Sequence, residues 1–92
     1  MELNLQMKHE LRRLSELSVQ LKEVENLWAE SYTNRQNAEE RGEGMYVLFC
    51  DYSVPIMNAE ERITSLKNMI LEHVRILVSL TDAQLRTDGA KD

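Results

Sequence analysis

The chain is poor in the residues that punctuate and cross-link small folds. Its 92 residues include one proline, three glycines and one cysteine, and only 5% are aromatic. An all-β sandwich needs a turn signal every ~8–12 residues, which so few glycines and prolines do not supply. The single cysteine, Cys50, excludes an internal disulfide framework and a cysteine zinc cluster. Positive charge is also short. Eleven basic residues against 16 acidic ones give a formal charge of -5, the wrong sign for a surface that neutralises phosphates. The longest apolar runs, Met45–Cys50 and Ile76–Val78, fall far short of the ~20 residues that span a bilayer. The first ten residues lack the basic start and apolar stretch of a secretory signal. The expectation is one small intracellular, cytoplasmic domain that binds neither nucleic acid nor membrane. A domain of this size buries only ~60–65% of its unfolded surface, so partners often complete the core.

What is abundant is aliphatic side chains at helical spacing. Leu3, Met7, Leu14, Leu17, Leu21, Val24 and Trp28 recur in steps of four and three, with Glu10 the one gap. This is helix periodicity held for almost four heptads. Helix 1 is therefore expected over residues 3–41. Arg41-Gly-Glu-Gly44 breaks it, since Gly42 suits the left-handed residue that ends many helices. In the second half Phe49, Ile56, Ile63, Ile70 and Leu77 are seven apart. Met45, Tyr52, Ala59, Leu66, His73 and Leu80 form an interleaved series with the same step. Residues 45–54 have strand-like propensity, but their agreement with the downstream heptads favours helix. Helix 2 is placed at 45–85, with a kink or restart near 53–58 because Pro55 cannot donate a backbone hydrogen bond. Residues 86–92 read as a flexible tail.

A short turn between long helices predicts an all-α, antiparallel two-helix coiled-coil hairpin over residues 1–85, with 42–44 as the turn. The glycine position sets the register, with facing residue numbers summing to about 87. Trp28 then faces Ala59, Ala38 faces Phe49, Leu17 faces Ile70 and Leu14 faces His73. Arg35 falls opposite Tyr52, in cation–π range, and Glu10 meets Leu77 as the one poor match.

The hairpin leaves apolar surface over. Met57, Met69, Leu71, Val74, Ile76, Val78 and Leu85 lie off the seam, and a helix apolar on several sides is normally buried on several sides. These seven are the predicted partner-binding residues. The expected cover is a second copy, completing a four-helix bundle by dimerisation, or a helix of another protein. The function expected is a non-enzymatic protein-protein interaction module, a small subunit that assembles through helix 2. The alternative is a small acidic chaperone or inhibitor that masks a helix or functional surface of its target.

No residue pattern points to chemistry. His73 sits on the seam and is expected to bond a carbonyl or carboxylate, and His9 to be at the surface. A metal would need several convergent ligands, and none are spaced for it. Cys50 has Asp51 beside it and no neighbouring cation to activate a thiolate. Glu39–Glu40 and Glu60–Glu61 are adjacent pairs, whose side chains point ~100° apart on a helix and form no dyad. Neither a cofactor nor a catalytic residue is expected. The methionines read as core filler, apart from Met57 and Met69 among the partner-binding set.

Overall fold

The computed structural model describes the backbone from Glu2 to Lys91 and the side chains of residues 4–88. Four helical segments follow one another: α1 (Glu2–Glu40), α2 (Met45–Val47), a π-helix (Leu48–Ser53) and α3 (Val54–Lys91). The last three join end to end into one second arm, which runs antiparallel to α1. No strand occurs among the described residues. The result is an extended hairpin of 72 × 15 × 15 Å. Its radius of gyration is 20.6 Å, against about 12 Å for a compact globule of this length.

α1 contains no glycine or proline from Glu2 to Glu40, so nothing inside it interrupts the helical hydrogen bonds. It ends in a Schellman motif. The Glu43 amide donates to the Ala38 carbonyl at 3.2 Å, and the Gly42 amide to the Glu39 carbonyl at 3.0 Å. Gly42 supplies the required left-handed residue with φ 81°. Gly44 is extended, at φ -67° and ψ 158°, and opens α2 as its N-cap. The turn therefore lies where the sequence puts it.

Leu17, Val24, Ala59 and Leu66 are buried together at mid-rod, with Leu21, Trp28, Ile63 and Ile70 packed around them. Ala38, Leu48 and Ile56 are buried nearer the turn. Trp28 packs against the mid-rod cluster, and its indole Nε1 donates to Glu60 at 3.1 Å, the residue next to the Ala59 that the register sets opposite it.

The first turns of the second arm differ from the expectation. Met45 and Phe49 do not lie on the seam: they are 78% and 57% exposed, and Leu48 is the buried residue instead. The cause is the π-helix at Leu48–Ser53, in which backbone bonds reach five residues back, ending with the Val54 amide on the Phe49 carbonyl. The wider turn holds one extra residue. The seam position two turns before Ile56 is then eight residues back, at Leu48, rather than seven back, at Phe49. Pro55 explains why the extra residue sits here. It has no amide proton for the Asp51 carbonyl, and in a tight α-turn its ring would press on that oxygen. The change of helix type falls where a kink or restart is expected near 53–58: the π-helix ends at Ser53 and α3 starts at Val54, with the chain helical on both sides of Pro55. α3 also continues to Lys91, past Leu85 where the sequence suggests an end. Met1 and Asp92 lie outside the described residues, as do the side chains of Leu3 and residues 89–91.

Candidate functional site

All seven residues singled out for partner binding are exposed: Met57, Met69, Leu71, Val74, Ile76, Val78 and Leu85. They do not form one patch. Leu71, Val78 and Leu85 are seven apart, with Val74 between the first two, and make a single stripe on one flank of the seam. Met69 and Ile76, also seven apart, lie on the opposite flank. Met57 stands alone nearer the turn.

A groove farther along the hairpin shows which part of α1 accompanies the stripe. It is lined by Glu25, Trp28 and Ala29 of α1 and by Glu60, Ile63, Thr64 and Lys67 of α3. Thr64 continues the heptad of Leu71, Val78 and Leu85, and Lys67 continues that of Val74. Glu25 continues the heptad of Ser18 and Leu11. The exposed Leu11 therefore belongs to the same face as the α3 stripe, a contribution that reading helix 2 alone passes over.

A second exposed apolar group was not legible in the heptads. Met45, Tyr46, Val47 and Phe49 crowd the turn end of the rod, with Tyr46 81% exposed. The π-helix brings them outward, so Met45 is not core filler. The only available signal was Pro55 following a hydrophobic run. Glu39, Glu40 and Asp51 are exposed in the same region. The guanidinium of Arg35 donates to the Ser53 hydroxyl at 2.8 Å, and Arg41 reaches the Tyr52 hydroxyl at 3.3 Å. The expected stacking of Arg35 on Tyr52 is thus replaced by two hydrogen bonds, one from each arginine.

The polar seam positions pair with each other. His73 Nδ1 bonds the Glu10 carboxylate across the hairpin, and both side chains are mostly buried. The Glu10 carboxylate is not left against Leu77, the poor match of the simple register. It reaches the histidine one turn nearer the tip, because a carboxylate left against an apolar side chain would lose its hydration without replacement. His9 and Cys50 are exposed. Glu60 accepts the Trp28 bond while Glu61 points elsewhere, so the adjacent acids do not converge. Among the described residues no group of three or more His, Cys, Asp or Glu side chains is placed to hold a metal ion. No helix there is long and apolar enough to cross a membrane. What this geometry offers is aliphatic surface along two long helices. Comparison with protein-family models, curated proteins and solved structures finds no match for this chain.

Proposed function

We propose that this hairpin is a non-enzymatic assembly subunit that docks another protein surface on the stripe Leu71, Val74, Val78 and Leu85, joined by Leu11. The observation that carries this reading is the exposure of four aliphatic side chains in helical register, with Val78 and Leu85 at 62% and 65%. Complete burial of such a side chain is worth ~1.5–3 kcal/mol, and all four leave much of that unrealised, Val78 and Leu85 most of all. A contiguous apolar stripe on a rigid helix is what a partner helix packs against. A single exposed apolar residue such as Val19, on the outer side of α1, carries no such implication.

The test is the double variant Val74→Asp with Val78→Asp. Far-UV circular dichroism is expected to be unchanged, because neither residue belongs to the buried seam. Partners recovered by cross-linking and mass spectrometry with the parent chain are expected to be lost. A variant that keeps those partners, or that unfolds, overturns the assignment of this face.

A further inference from the structure

Resting on the docking reading above, we infer that the occupant of the stripe is a second copy of this chain, packed antiparallel about a two-fold axis at Val78. The pattern on either side of Val78 is self-complementary. Leu71 and Leu85 each lie seven residues away, so an antiparallel copy sets Leu71 against Leu85 of the second copy, and Val78 against its own equivalent. Charge selects the direction. Arg75 and Asp82 are both exposed and seven apart, on one edge of the stripe. The antiparallel two-fold brings Arg75 toward Asp82 of the second copy and repeats that pair by symmetry. In a parallel copy, related by a two-fold along the rod, the two edges would fall on opposite sides of the interface, and Arg75 would not meet Asp82. Asp82 also pairs with Arg86 at 3.1 Å on its own helix, and both side chains are exposed.

The area is sufficient. From Val78 to the open end of the rod is about 20 Å of helix, so two copies overlap over about 40 Å. Across a hairpin 15 Å wide, that overlap buries on the order of 1,200 Å² in total, above the ~1,000 Å² of a specific interface. Leu11 adds apolar surface from α1 on the same face. The apolar tip is less suited to self-pairing, because Glu39, Glu40 and Asp51 near it would bring negative charge together.

Sedimentation equilibrium of the full chain is expected to show a reversible dimer. Its scattering profile should give a maximum dimension of about 100 Å, against 72 Å for one hairpin. Arg75→Glu and Asp82→Arg should each weaken the dimer ~5-fold, and the combined swap should restore it to within ~2-fold. In a Cys50→Ser background, an oxidised mixture of Leu71→Cys and Leu85→Cys chains should yield the mixed disulfide. Val19→Cys, on the outer side of α1, should yield none. A parent chain that stays monomeric to ~1 mM overturns the second copy as occupant. So does Leu71→Cys joining to itself in preference to Leu85→Cys, or a charge swap that fails to restore association. If the parent is monomeric yet Val78→Asp still loses cross-linked partners, the docking face stands with a different occupant. If Val78→Asp loses nothing, both readings fall.

Discussion

At the scale of single residues, Gly42, Leu17 and the Glu10–His73 pair govern the hairpin for different reasons. Gly42 holds φ 81° with open space around it, so the obstacle to a side chain there is backbone strain and not a clash. Gly42→Ala should cost about 1 kcal/mol in urea unfolding, while Gly44→Ala, at an ordinary φ, should stay within about 0.5 kcal/mol. Leu17 is the one large side chain with no exposure among the described residues, and Leu17→Ala should destabilise by about 3 kcal/mol. The Glu10–His73 bond is a polar interruption of an apolar seam. Glu10→Leu alone and His73→Leu alone should each destabilise, because each strands a mostly buried polar partner. The double change should be neutral or stabilising, since both groups are then replaced by apolar volume. Chemical denaturation of the four proteins measures that coupling directly.

At the scale of elements, the second arm carries one residue more than an α-helix would between Leu48 and Ile56. Deleting Asp51, which is exposed within the π-helix, together with Pro55→Ala should convert the segment to regular α-helix and leave Leu48 on the seam. Removing an interior proline and its disturbed turn should raise stability by about 1–3 kcal/mol. Thermal unfolding followed by circular dichroism tests this, and a lower midpoint would show that the π-helix contributes contacts of its own. The rotation it produces also accounts for the tip: Met45 and Phe49 face outward because the extra residue turns that end of the helix by about 100°. α1 needs no such adjustment, because no proline interrupts it.

At the scale of the molecule, a rod 15 Å thick has room for only one apolar seam. Among the described residues seven apolar side chains are buried in it, so the hairpin has little core to hold it together and gains much from any surface that covers α3. Association that favours the folded state raises its stability by mass action. The melting temperature is therefore expected to rise with protein concentration in the parent and to become concentration-independent in Val78→Asp. Scanning calorimetry at two concentrations ~30-fold apart reads the difference.

The amino-acid sequence by itself determined the helical class, the single turn at Gly42–Gly44 and the mid-rod partners Leu17, Val24, Ala59 and Leu66. Each follows from a local rule, namely helical periodicity, the left-handed freedom of glycine and antiparallel closure around a short turn. The exposure of Leu71, Val74, Val78 and Leu85 was equally legible, because one neighbouring helix covers only one side of another. Tertiary structure decided what depends on geometry accumulated across turns. Periodicity counts residues and assumes 3.6 per turn, so it placed Phe49 on the seam where the π-helix puts Leu48. It also treated facing positions as level pairs, so it missed that Glu10 reaches diagonally to His73. Leu11 joined the α3 stripe only once the two arms were side by side, because which flank of one helix borders which flank of another is a property of the pair and of neither sequence segment alone.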